Sequence, residues 1–315
     1  MSRARTAALL LRRTLLVAAL LGLVLGVGHQ PPSPGGPAQR LHVVVAVDVT
    51  TSMAALDGDD EAAPRLAVAA QDVTRLVDAL VGARISLVTF GQEASIRVPF
   101  TPDSAVLQRA AQNLTVESPQ LGSGSRVDAA LPLLTSQVEQ AEQGVVPPVE
   151  VRTAVIYLGD GENTAAQQPA SFADLGTATD AALVLGYGTA DGAPMPLDPS
   201  SVLPVSRQPD DPGIDPTTLP TIPAPDGSGP GISRMDAARL QTIADELGAD
   251  FAQRDSRTDL ESLASDLEQE ATAGRAPPPR PGRNVGWLWA LAVLVLLLPE
   301  VTRWTRMLAE TRRPT

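Results

Sequence analysis

At 315 residues the chain has room for two domains, and its net charge of −12 comes from 36 acidic against 24 basic side chains, every one of the latter an arginine. Cysteine is absent, which excludes disulfides and thiolate metal sites, and two histidines leave little scope for imidazole chemistry. The charge is segmental: residues 41–274 carry −22, while residues 1–40 and 275–315 carry +5 each, so the middle repels nucleic acid and anionic headgroups.

The first 40 residues read as a membrane anchor or signal segment followed by a linker. Thr14 to Gly28 is uncharged and apolar and follows Arg3, Arg5, Arg12 and Arg13. This stretch serves either as a retained anchor or as a cleavable signal peptide. Gly26-Val27-Gly28 offers the small residues that a signal peptidase needs.

From Leu41 the pattern alternates between strand and helix, which predicts an α/β domain over residues 41–274. Leu41 to Val47 is a β-branched run typical of a strand buried on both faces. A helical stripe of Leu66, Val73, Leu76, Val77 and Leu80 follows, stopped by Gly82. Arg84 to Phe90 and Ala94 to Phe100 read as a hairpin across Gly91-Gln92-Glu93, which adds one antiparallel edge strand. A short helix is expected over 103–113. Another after Ser125 presents Val127, Ala130, Leu131, Leu134 and Val138 on one face. Arg152 to Leu158 and Ala181 to Tyr187 are further buried strands.

Residues 189–233 break the pattern. Eleven prolines between Pro194 and Pro230 predict a mobile surface insertion. Ser233-Arg234-Met235-Asp236 and Ser256-Arg257-Thr258-Asp259 then read as capping boxes ahead of two helices. Residues 275–284 form a proline-rich tether, and residues 285–302 are read as a transmembrane helix ahead of a basic tail, 303–315. The apolar core of that helix has 15 residues, short of the ~20 that span a bilayer. Trp287, Trp289, Trp304 and the arginines can extend it by sitting at the interfaces. Arginines outside both apolar ends place the tail in the cytoplasm and the acidic middle outside the cell membrane. The fold class is therefore a doubly wound, mainly parallel, Rossmann-like α/β sheet with one antiparallel edge strand, flanked by terminal transmembrane helices.

Five residues carry the chemistry. Asp48, Thr50 and Ser52 follow the first strand, Ser125 stands in a glycine-rich loop before a helix, and Asp160 closes the strand that ends Leu158-Gly159-Asp160-Gly161. Ligands of open α/β sheets gather beyond the carboxyl ends of strands. Two carboxylates and three hydroxyls are the hard oxygen ligands that Mg²⁺ prefers, with Mn²⁺ or Ca²⁺ as substitutes. Ser123 is the alternative to Ser125 in the third loop. Catalytic readings find little support. No Gly-x-Gly-x-x-Gly or P-loop follows the first strand. Thr50 stands where an aspartate-based phosphatase would carry its second carboxylate, and neither His29 nor His42 is placed as a triad base.

Asp48-x-Thr50-x-Ser52, the hydroxyl at Ser125 and the Asp160-Gly161 turn resemble the metal-ion-dependent adhesion site (MIDAS) of von Willebrand factor type A (VWA) domains. Leu158 to Asn163 and Gly186 to Pro194 are similar to the bacterial membrane-anchored BatA/BatB type. The resemblance implies Mg²⁺ on Asp48, Thr50, Ser52, Ser125 and Asp160, and protein binding rather than catalysis. It further implies a protein partner whose Asp or Glu completes the metal shell, or a role beside a MoxR-type AAA+ ATPase or other VWA proteins. The family more often has Ser at the position of Thr50 and Thr at that of Ser125; both swaps keep the hydroxyl.

Overall fold

The computed structural model describes residues 39–58, 63–117, 125–143, 149–199, 202–203, 218–224 and 226–273, together with isolated positions at 14, 15, 293, 294, 296 and 297. The two expected membrane segments lie outside the described stretches. Among the described residues no helix is long and apolar enough to cross a membrane.

Between Gln39 and Ala273 the described residues form eight strands and six α-helices. β1 (Gln39–Asp48) leads through a 3-10 turn (Thr51–Ala54) to α1 (Arg65–Ala79), then β2 (Arg84–Phe90), β3 (Ala94–Thr101), α2 (Ser104–Gln112), α3 (Leu131–Glu142) and β4 (Glu150–Gly159). α4 (Ala173–Ala178), β5 (Ala181–Gly186), β6 (Ala193–Pro194), β7 (Ile232–Ser233), α5 (Ala237–Leu247), β8 (Asp250–Gln253) and α6 (Leu260–Ala273) complete the chain order. Six strands make one sheet in the order β3-β2-β1-β4-β5-β8. Every pair is parallel except β2 with β3.

Both faces of the sheet are covered because the alternating side chains of β1 are apolar on both sides. Val43, Val45 and Val47 pack with Leu66, Val73 and Leu76 of α1, Leu107 of α2 and Leu260 and Leu267 of α6. Val44 and Ala46 pack with Leu134 of α3, Leu175 of α4 and Leu240 and Ile243 of α5. This is the doubly wound architecture expected, and the single antiparallel strand is β3 at the edge.

Strand order reverses at β1. The chain goes from β1 outward to β2 and β3, then returns to β4 on the other side. A crevice therefore opens at the carboxyl ends of β1 and β4. Val47 pairs with Leu158, so Asp48 and Gly159 leave the sheet side by side.

Three local expectations are corrected. Ser233 does not cap a helix: it is paired with Ala193 in the β6–β7 ladder, and Asp236 caps α5 by accepting from the Arg239 amide at 2.9 Å. Asp259 likewise accepts from the Ser262 amide at 3.1 Å, while α6 starts beyond Ser256. In each Ser-x-x-Asp run the aspartate sits next to the helix start and the serine lies outside it. The third correction is to the insertion. Residues 193–197 bond to 220–222, through Leu197 N to Pro220 O at 2.8 Å and Ile222 N to Met195 O at 2.9 Å, and pair with 232–233 through Ala193 and Ser233, while Gly231 N bonds Ile222 O at 2.7 Å. Val202 and Leu203 are buried, Leu203 within the core on the α1 side. The described parts of the insertion are thus a pinned ribbon, its prolines falling where no ladder amide is needed.

Candidate metal centre

Asp48 ends β1 with its side chain almost wholly buried. The chain turns immediately, and the turn is built on the Asp48 carboxylate. Its Oδ1 accepts from the Thr50 amide at 2.8 Å and from the Thr50 hydroxyl at 2.6 Å. Thr50 Oγ1 and Ser52 Oγ lie 2.8 Å apart. Short polar side chains that bond their own backbone two residues on are what allow a strand to end in so tight a turn. Asp48, Thr50 and Ser52 are brought together on one surface of it.

Asp160 follows β4 and is fully buried. Its Oδ1 accepts from the Glu162 amide at 2.9 Å, and its Oδ2 accepts from Arg65 Nη1 at 2.8 Å. A Cβ on the neighbouring Gly159 would crowd the turn, standing 3.1 Å from Asp48 Cβ and 3.2 Å from Asp48 Oδ2. The two aspartates are close enough to sense each other. Burial pushes the Asp48 carboxyl well above the usual carboxylate range, and the charge of Asp160 pushes it further.

Ser125 is held elsewhere in the loop cluster. Its amide donates to Thr164 Oγ1 at 2.8 Å and its hydroxyl lies 3.2 Å from the same oxygen. Its carbonyl accepts from the Thr164 and Ala165 amides. The loop is fastened to the chain just beyond Asp160, and Ser125 is bonded to that chain rather than to the Asp48 turn. Ser123 lies outside the described residues.

The charge balance differs between the two aspartates. Asp160 has a guanidinium partner, and among the described residues Asp48 has none. Also among the described residues, no three of His, Cys, Asp and Glu gather where they could hold a metal ion. A cation here would rest on hydroxyls as well as carboxylates. The donor chemistry fits a small hard divalent ion: oxygen only, one carboxylate lacking a counter-charge, two hydroxyls beside it and a second carboxylate at the adjoining strand end. Asp48, Thr50, Ser52 and Asp160 are the residues that would hold it.

Arg65, Asp57 and Ser233 are absent from the motif. Arg65 opens α1 with no solvent exposure, and its Nε reaches Asp57 Oδ1 at 2.7 Å. Only its place just after Pro64, at a helix start, hinted at a defined position. His42 lies buried in β1 against Phe100, at a ring separation of 4.9 Å, with neither ring nitrogen hydrogen-bonded among the described residues. Burial, aided by Arg84 and Arg40, lowers its imidazole to about 4, so it is neutral at physiological pH.

Residues 43–162 match the family model of the von Willebrand factor type A domain. The fold is similar to that of BatB, a conserved hypothetical protein from Bacteroides thetaiotaomicron, with 22% sequence identity and a TM-score of 0.53 over 74% of this chain and 99% of that one. It is also similar to an aerotolerance-related membrane protein from Bacteroides fragilis, with 23% identity and a TM-score of 0.50 over the same shares, 74% and 99%. No curated protein matches the sequence significantly. The strand order and the switch point at β1 agree with that match: residues 43–162 lie within an α/β fold of the von Willebrand factor type A kind.

Proposed function

We propose that the chain is a membrane-anchored interaction module that grips an acidic side chain of a protein partner through a divalent cation, Mg²⁺ in the first place. Asp48, Thr50, Ser52 and Asp160 hold the ion, and Ser125 stands at the edge of the set. The observation that carries this reading is Asp48: a buried carboxylate at the switch point, facing a like charge, with two hydroxyls and no counter-cation beside it. When bound, Mg²⁺ supplies positive charge in a water-poor crevice and a coordination position that a partner carboxylate can fill. The chain's own residues do the rest. Thr50 fixes the Asp48 carboxylate by donating to Oδ1, and Arg65 fixes Asp160.

Binding rather than catalysis is favoured by the type of domain and by the setting of His42, which lies within β1 packed on Phe100. The membrane address is supported by the apolar blocks at 14–28 and 285–299 with their flanking arginines. The Bacteroides fragilis neighbour is itself described as a membrane protein. On this topology the domain faces outward and the basic tail lies in the cytoplasm.

The test is a calorimetric titration of the full-length chain with Mg²⁺. The wild type takes up the ion and releases it to EDTA, whereas Asp48→Ala takes up none while keeping its far-UV circular dichroism. Equal uptake by the folded Asp48→Ala variant would sink the proposal.

A further inference from the structure

Nothing in Pro64-Arg65-Leu66 marks Arg65 as a core residue, yet its side chain is sealed from solvent. A buried guanidinium is tolerated only where its donors find acceptors. The donors of Arg65 are divided between the candidate ion site and the proline-rich ribbon. Nη1 serves both Asp160 Oδ2 and Ser233 Oγ at 2.8 Å. Nη2 reaches the Ser233 carbonyl at 3.0 Å and Asp57 Oδ2 at 3.1 Å. Asp57 in turn accepts from the amide and the hydroxyl of Thr189, each at 2.9 Å, and Ser233 Oγ donates to Glu162. Thr189 and Ser233 are the two feet of the insertion, one leading into β6 and the other ending β7.

The geometry points to Arg65 as the positioning residue through which the ion site and the ribbon act as one unit, an ion at Asp160 tightening the ribbon's feet and a load on the ribbon tightening the ion. This rests on the reading of the Asp48 turn as a cation site. The sign of the coupling follows from charge and entropy. Asp57 and Asp160 bond the guanidinium directly and Glu162 stands behind Ser233, so the acidic groups around Arg65 outnumber its one positive charge and leave Asp160 able to serve a divalent ion as well. Once Asp160 is fixed, Arg65 has fewer arrangements to lose, and ordering Thr189 and Ser233 costs less. Coupling of two sites through one side chain is reciprocal, so whatever steadies the ribbon raises affinity at the ion site by the same factor. A clamp serving only the fold would hold the ribbon equally with and without the ion.

The experiment follows hydrogen exchange of peptides covering 189–199 and 218–233 in the full-length chain, with Mg²⁺ or with EDTA. A separate Mn²⁺ titration read by electron paramagnetic resonance reports occupancy. Mg²⁺ slows exchange at the ribbon feet of the wild type by about fivefold or more. Arg65→Lys, whose ammonium cannot span Asp57, Asp160 and Ser233 together, and Ser233→Ala both still take up Mn²⁺ but lose the slowing, while β1 and β4 stay protected. Should Arg65→Lys fail to fold, Ser233→Ala carries the comparison alone. A wild type that takes up Mn²⁺ without slowing the ribbon overturns the inference, as does a Ser233→Ala variant that keeps the full slowing. A wild type that takes up no Mn²⁺ overturns the cation site itself.

Discussion

Asp48 and Asp160 are both buried and both acidic, but they bear opposite relations to stability. Asp160 neutralises a guanidinium, whereas Asp48 faces a like charge with only hydroxyls and an amide for support. In EDTA, Asp48→Asn therefore raises stability by about 1 kcal/mol, a gain typical of relieving a strained functional group, and abolishes any rise in melting temperature on adding Mg²⁺. Asp160→Asn costs about 3 kcal/mol, because it leaves Arg65 only partly compensated inside the protein. Urea denaturation of the two variants in EDTA distinguishes them by sign. If both destabilise equally, Asp48 is an ordinary structural carboxylate.

At the level of elements, the domain depends on close approach where helices share a face. Gly176 in α4 is packed so tightly on α5 that a Cβ would lie 2.4 Å from the Glu246 carbonyl oxygen and 2.9 Å from Leu247 Cα, both backbone atoms. Gly176→Ala must separate the two helices, and a loss of about 2 kcal/mol is expected on overpacking grounds, measured by denaturant unfolding. A neutral result would show that α4 shifts freely. The elements themselves were largely legible, because long β-branched runs and helical stripes report burial directly. β1, β2, β4 and β5 and the β2–β3 hairpin fall within two residues of expectation. β8 was not foreseen: Asp250-Phe251-Ala252-Gln253 is short and half-polar, and it becomes a strand only through its pairing with β5. The capping boxes differ from expectation because the aspartate of each Ser-x-x-Asp run caps the helix itself, and β7 takes up Ser233 in the first. At the site, the ligand motif stood out because it is local and follows a strand. Arg65 did not, since the burial of an arginine is decided by Asp57, Asp160 and Ser233, which the fold brings from three distant places.

Taken whole, the molecule sets long-range charge against local charge. The segment 41–274 carries −22, which opposes an acidic partner at a distance, while an ion in the crevice attracts that partner's carboxylate at contact. Interactions between exposed charges decay over about 8 Å at physiological ionic strength, so added salt weakens the long-range repulsion more than the contact. Capture of an acidic partner therefore strengthens from low to moderate salt and is lost in EDTA. A monotonic loss with salt would instead indicate a basic partner held by the acidic surface.

The bond between Arg65 and Ser233 joins positions 168 residues apart. During synthesis, then, the guanidinium emerges early and has no finished pocket until β7 has left the ribosome, since Ser233 supplies both a hydroxyl and a carbonyl to it. Such non-local closure is slow and comes late in folding. A chain stopped short of Ser233 leaves the guanidinium with Asp57 and Asp160 alone, so the last of its contacts distinguishes a complete domain from a nascent one.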